Sequence, residues 1–238
     1  MIDILIPVLN RPDNALKVVE SIRNVTTVDH SIVFICSQGD EAEILACKET
    51  GARILIHDFG QRSEYPKKMN FGFSKTDRDF CLLGADDIDF TKNWDLDLLR
   101  MASDTGKGVI GNNDCANPQV MRGDFSTHPL VRRSYVMEQG ASLDGPGVLI
   151  HEGYDHNYCD RELCHLAQSR EQWAFAENVR ICHRHPSWGT AKSDQVYAKG
   201  RRAMQRDHYL FMRRARLWGG VGLLSEELPG RRRSQRRR

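Results

Sequence analysis

Apolar and polar positions alternate between two periods over the first ninety residues. Residues 2–9 form a nearly continuous apolar run, which predicts a strand buried on both faces. Pro12 then opens a helical stretch with Leu16, Val19 and Ile22 on its inner face. A second strand is expected over 31–36. Asp40 is placed to cap the next helix, which turns Ile44, Leu45 and Cys47 inward and stops at Gly51. A third strand over 53–57, a helix over 67–74 and a fourth strand over 79–83 follow. Strand and helix in alternation, with short connections, predict an α/β chain: a mostly parallel sheet flanked by helices. After residue 105 the pattern turns loop-like (GNNDCANP, STHP, LDGPG), and helical spacing returns over 158–170 and 192–218. The second half is therefore expected as helices and irregular structure added at the C-terminal edge of the sheet. Open parallel sheets bind their ligands at that edge.

Composition narrows the class. With 238 residues, 40% of them hydrophobic, the chain can bury a sizeable core, which excludes disorder for most of it. No run approaches 18 apolar residues and the start lacks a signal-peptide pattern, so no transmembrane segment and a cytoplasmic location are expected. Seven cysteines without a CxxC pair suggest reduced thiols and neither a disulfide framework nor a four-cysteine zinc site. The net charge of +2 conceals six arginines in the last eight residues, RRRSQRRR; setting these aside leaves residues 1–230 at −4. A tail of that kind, 219–238, is expected to be disordered and able to contact a polyanion through residues 231–238.

Three segments can carry chemistry. In CLLGADDIDF, the carboxylates Asp86, Asp87 and Asp89 follow directly after a buried strand. Clustered carboxylates repel unless a cation or donors neutralise them, and a hard divalent ion such as Mg²⁺ or Mn²⁺ fits. The plain alternative is a solvated acidic turn with Asp89 capping the next helix. In CHRHPSWG, His183 and His185 can add an imidazole that carboxylates alone lack, whereas a zinc site from Cys182, His183 and His185 matches no common spacing. In EGYDHNYCDREL, Asp160 lies just inside a helix start, where an ionised carboxylate is favoured and can act as a general base. Asp160 and Glu162 are two apart, so only one of them faces a cleft. Lys67, Lys68 and Asn70 precede the acidic trio by one helix and suit a pyrophosphate or a ribose. No glycine-rich phosphate loop is present.

Taken in order, ILIPVLNRPDNALKVVESI, YPKKMNFGFSKTDRDFCLLGADDIDFTKNWD, GNND, STHPLVRRSY, DGPG, EGYDHNYCDREL and HRHPSWGTAKSDQVY resemble the inverting family-2-type glycosyltransferases of GT-A fold, in particular a subgroup from actinobacteria and their phages. The resemblance covers about residues 1–215. It implies a Rossmann-like, nucleotide-sugar-binding half over 1–105 and an acceptor-binding, catalytic half over 106–218 of one domain. It also implies a nucleoside-diphosphate-sugar donor, with a UDP-sugar first, and a hydroxyl-bearing acceptor (DNA, protein or glycan). Asp86 and Asp87 would be the metal motif, with His185 or His183 as a further contact to metal or diphosphate. Asp160 would be the catalytic base. Pro7, Arg11, Lys68 and Asn70 would touch the donor, and Asp40 would stand in, displaced, for the aspartate that reads the base. Two further classes fit part of the pattern: a nucleotidyltransferase, which lacks its usual glycine loop here, and a nucleic-acid-binding protein working through the Arg-rich tail.

Overall fold

The computed structural model describes residues 1–60 and 62–219. The arginine run 231–238, and all of the expected tail but Gly219, lie outside them. The first half runs β1 (Ile2–Pro7), α1 (Pro12–Arg23), β2 (His30–Ser37), α2 (Glu41–Glu49), β3 (Arg53–His57), α3 (Glu64–Ser74) and β4 (Phe80–Leu83). It continues through β5 (Ile88–Phe90), α4 (Trp94–Thr105), β6 (Val109–Asn113), α5 (Pro118–Met121), β7 (Leu130–Arg132) and α6 (Arg133–Gln139). The last elements are α7 (Cys159–Ser169), β8 (Trp173–His183) and the long α8 (Gln195–Ala215).

The eight strands form one sheet in the order β3-β2-β1-β4-β7-β6-β8-β5. β3, β2, β1 and β4 are mutually parallel. β7 turns antiparallel between β4 and β6, and β8 runs parallel to β6. Period-2 alternation sorts the side chains of β1 onto two cores. Ile2, Ile4 and Ile6 pack with Val18, Val19 and Ile22 of α1 and Leu98 of α4. Leu5 faces the other way, with Val33, Ile35, Cys81 and Leu83, onto Met69 and Phe73 of α3. Helices on both faces explain why these strands read as unbroken apolar runs.

The expectations need correction at several points. Leu16 and Leu45 point to solvent; Ala15, Val18, Val19 and Ile22 form the inner stripe of α1, and Ile44 and Cys47 that of α2. Asp40 stands at the start of α2 but makes no side-chain cap. Its carboxylate instead accepts from the Asn10 backbone N–H at 2.9 Å. Asp89 caps nothing; it lies in β5 opposite Cys182. The second half is also no mere helical addition, because β6, β7 and β8 complete the sheet. The thiols are not all reduced. Cys115 and Cys182, 67 residues apart, form a disulfide between the loop after β6 and the end of β8. No local spacing marks that pair. The parallel run of β8 beside β6 brings the two together, and it removes Cys182 from any zinc site. It also removes the thiol-based argument for a reducing compartment. No helix among the described residues is long and apolar enough to cross a membrane.

Candidate active site

A cleft of about 700 Å³ opens at the C-terminal ends of β1 and β4, lined from both halves of the chain. Gly84 carries the chain from β4 to the acidic pair. Its N–H donates to Leu5 O at 2.8 Å, and a Cβ there would stand 2.9 Å from that same oxygen. The close approach to β1 requires glycine and delivers Asp86 and Asp87 to the cleft floor, both nearly buried.

Arg11, just before α1, is their counter-cation. Its Nη1 lies 3.3 Å from Asp86 Oδ1 and 3.0 Å from Asp87 Oδ2. Its Nε and Nη2 donate to both oxygens of Asp194, and its guanidinium stacks 4.1 Å above the Tyr197 ring. Asn14 donates to Asp86 Oδ2 at 3.3 Å, and the Tyr197 hydroxyl to Asp87 Oδ2 at 2.7 Å. His183 Nε2 stands 3.4 Å from Asp87 Oδ1. Burial, together with the charge of Asp87, pushes the Asp86 carboxyl up to about 6. Burial raises Asp87 too, but the hydrogen bond and charge of His183, with Tyr197 and Arg11, outweigh it and hold that carboxyl well below its usual range. The reciprocal effect on His183 is upward: burial disfavours its charge, and Asp87, Asp114 and Asp160 more than restore it. His185 goes the other way, down to about 4, through burial and the neighbouring His183. Its Nδ1 accepts from the Ser187 N–H at 3.2 Å.

Asp160 lines the same cleft from the first turn of α7. Burial raises its carboxyl above the ordinary value, against the opposing pull of Arg161. Glu162, two residues on, turns away, accepting from Arg214 at 2.7–3.0 Å and from the Tyr154 hydroxyl at 2.6 Å. One carboxylate of the pair therefore faces the cleft and the other the core, as their spacing requires. The loop leading to Asp160 is pinned by buried Asp207 of α8, which accepts from the backbone N–H groups of residues 155, 156 and 157.

Pro7, Arg11 and Lys68 also line the cleft. Lys68 is almost fully buried, paired with Glu64 at 2.9 Å and donating to Val8 O. Asn70 and Asp40 are not brought into the cleft. The Asn70 amide is consumed by the backbone of residues 149 and 150 and by Glu152, and Asp40 sits behind the β1–α1 loop. The sequence reading missed Glu64, Asn14, Asp114, Thr127, His128, Asp194 and Tyr197. All but Glu64 lie in stretches that carry the resemblance: Asn14 in the opening block, Asp114 in GNND, Thr127 and His128 in STHPLVRRSY, and Asp194 and Tyr197 in KSDQVY.

The donor chemistry suits a hard cation. Two desolvated carboxylates that repel each other call for positive charge, which Arg11 and His183 provide in this structure. No three His, Cys, Asp or Glu side chains among the described residues gather as a closed metal cage. The fit is of the open kind, with one or two carboxylates from the protein and the remaining ligands from substrate and water.

No protein-family model matches this chain. No curated protein sequence matches it either. Solved structures do. The chain is similar to the Pyrobaculum calidifontis mannosyltransferase PcManGT in complex with GDP-Man and Mn²⁺, with a TM-score of 0.61 at 9% identity over 96% of this chain and 76% of that one. It is similar to the glucosyl-3-phosphoglycerate synthase of Mycobacterium tuberculosis in complex with Mn²⁺, UDP-glucose and glycerol 3-phosphate, with a TM-score of 0.54 at 12% identity over 86% and 77%. It is similar to S. aureus TarS, with a TM-score of 0.56 at 10% identity over 76% and 59%. These likenesses identify the fold as that of the GT-A glycosyltransferases.

Proposed function

We propose that this GT-A chain is a metal-dependent inverting glycosyltransferase that moves a sugar from a nucleoside diphosphate, UDP foremost, to a hydroxyl acceptor. The observation that carries the reading is the placement of two buried carboxylates, Asp86 and Asp87, across one cleft from a third, Asp160, at a helix start. Structural neighbours bound to Mn²⁺ with GDP-mannose or UDP-glucose support it.

Asp86 and Asp87 would hold Mn²⁺ or Mg²⁺, with His183 or His185 beside it. Such a cation, when bound, neutralises charge developing on the departing diphosphate. Arg11 and His183 supply positive charge at the same floor. Lys68 fixes the Val8 carbonyl and with it the β1–α1 loop. Asp160, raised by burial, takes the acceptor hydroxyl's proton as that oxygen bonds to the anomeric carbon and the carbon–diphosphate bond breaks. Attack from the face opposite the leaving group inverts the centre. Of the arginines that make the C-terminal quarter basic, Arg206 and Arg214 pair with Asp155, Glu162 and Asp144. Arg202 lines the cleft and suits an acceptor that carries negative charge.

Asp160→Asn should abolish transfer from the donor while nucleotide binding with Mn²⁺ stays within about twofold of wild type, since one base is worth roughly 10²–10⁴ in rate and little in ground-state affinity. Ordinary turnover by purified Asp160→Asn would sink the assignment of the base.

A further inference from the structure

Natural interiors leave few buried polar atoms unpaired, and each one asks for an explanation. Among the described residues, four such atoms belong to side chains that line the cleft: Asp87 Oδ1 on the acidic floor, where His183 Nε2 stands 3.4 Å away, and, outside the acidic pair, Asp114 Oδ2, Thr127 Oγ1 and His128 Nε2. Asp114 is fully buried. Its other oxygen is occupied, accepting from the Ala116 and Asn117 N–H groups at 3.0 and 2.8 Å. His128 is 4% exposed, and its Nδ1 faces Leu83 O at 3.0 Å. A carbonyl can only accept, so Nδ1 carries the proton and Nε2 presents a lone pair.

Asp114 and the segment that carries Thr127 and His128 are held from both sides. The Asp114 carbonyl accepts from the His183 N–H at 3.0 Å, and the adjacent Cys115–Cys182 bridge locks that contact. Buried Asn112 ties the segment to Ser126 and to the His128 carbonyl. The ring of His128 meets that of His183 edge to face at 5.0 Å, so the group sits beside the acidic floor.

The Asp114 oxygen and the His128 nitrogen need hydrogen donors, and the Thr127 hydroxyl can donate or accept. A diphosphate offers only acceptors and would be repelled by a carboxylate. We propose that Asp114, Thr127 and His128 form the pocket that reads the hydroxyls of the transferred sugar, and so decide which sugar is accepted. This rests on the reading of the cleft as a nucleotide-sugar site. A pocket built to bond a hydroxyl rejects an analogue lacking it, because its own buried groups are then left unpaired.

The test is calorimetric titration of the full chain with Mn²⁺. It compares UDP and GDP with UDP-glucose, UDP-galactose, UDP-N-acetylglucosamine and GDP-mannose, on wild type and on Asp114→Asn, Thr127→Val and His128→Asn. Asp114→Asn and Thr127→Val keep shape, and the amide introduced in Asp114→Asn retains the turn acceptor; the amide in His128→Asn is smaller than the ring but keeps a donor for Leu83 O. Thermal melting of each variant checks folding. The expected result is unchanged affinity for the bare nucleotide. The best-bound nucleotide sugar should lose about 10- to 100-fold in Asp114→Asn and roughly 3- to 10-fold in each of the others. Equal losses for nucleotide and nucleotide sugar, or no loss for either, would overturn the pocket. Wild-type protein that binds neither UDP nor GDP would instead overturn the nucleotide-sugar reading, whatever the variants do.

Discussion

Lys68 and Glu64 sit one helical turn apart on α3 with almost no solvent contact, and Glu64 also accepts from Lys199 at 2.8 Å and from the Ser37 hydroxyl. Burial would raise the Glu64 carboxyl, but the Lys68 charge and these hydrogen bonds bring it down to about 2. Lys68→Met leaves Glu64 with Lys199 and Ser37 alone, a partial loss of compensation for a buried charge, and should cost about 1–3 kcal/mol in urea unfolding at neutral pH. A wild-type midpoint in that variant would show the network to be solvated. Glu43 behaves in the opposite sense. It is buried and accepts from the Arg11 N–H at 2.6 Å, and burial, with Asp86 and Asp40 adding to it, pushes its carboxyl from 4.5 up to about 7. A folded-state pKa above the unfolded one means that the fold binds the proton more tightly. The cost of ionising Glu43 is then absent below about 4.5 and grows to its full value above about 7. Glu43→Gln should therefore gain stability relative to wild type as pH rises from about 4.5 to about 8, and thermal melts across that range measure it.

Among elements, β8 has the largest consequence for the site. It pairs with β6 on one side and β5 on the other, and ends on Cys182 and His183. The Cys115–Cys182 bridge closes a loop of 67 residues onto it, for which loop-closure entropy gives about 4 kcal/mol. Replacing both cysteines by serine should lower Tm by roughly 10 °C in a protein of this size. The same loss should appear when wild type is melted with a thiol reductant, whereas the double serine variant should be insensitive to it. A reductant effect that persists in the serine variant would point to other cysteines. The helices flanking β8 are legible from their period, but β8 is not. Its residues 173–183 vary in burial, with Ala176, Val179 and Ile181 inside and the positions between half-covered or open, which blurs the period-2 signal.

At the scale of the molecule, the C-terminal helix closes the cleft over the acidic pair. Asp194 and Tyr197 of that segment meet Arg11, from the start of the chain, and Asp87. If the cleft takes a nucleoside diphosphate with a divalent ion, saturating Mn²⁺ and UDP at about one hundred times Kd should add about 2.7 kcal/mol, a rise of roughly 5–10 °C in Tm. The Asp86→Ala, Asp87→Ala double variant should show no rise that depends on the metal. An equal rise with and without Mn²⁺ would detach the aspartates from metal binding.

What this chain's sequence determined by itself follows from short-range rules. The alternation of periods dictated the parallel half with helices on both faces. The placement of three acids after a buried strand brought Asp86 and Asp87 to the sheet's C-terminal edge. The two-residue offset of Asp160 and Glu162 sent one to the cleft and the other to Arg214. Tertiary structure decided which polar groups remain for a ligand. Asn70 was spent on a loop eighty residues away, Cys115 found Cys182, Arg11 found Asp194, and Asp114, Thr127 and His128 came together without a local donor. These partners are set by strand order and by which backbone groups each loop leaves unpaired. Hydrogen bonds act over about 3 Å in space regardless of distance along the chain, so no window of sequence contains them.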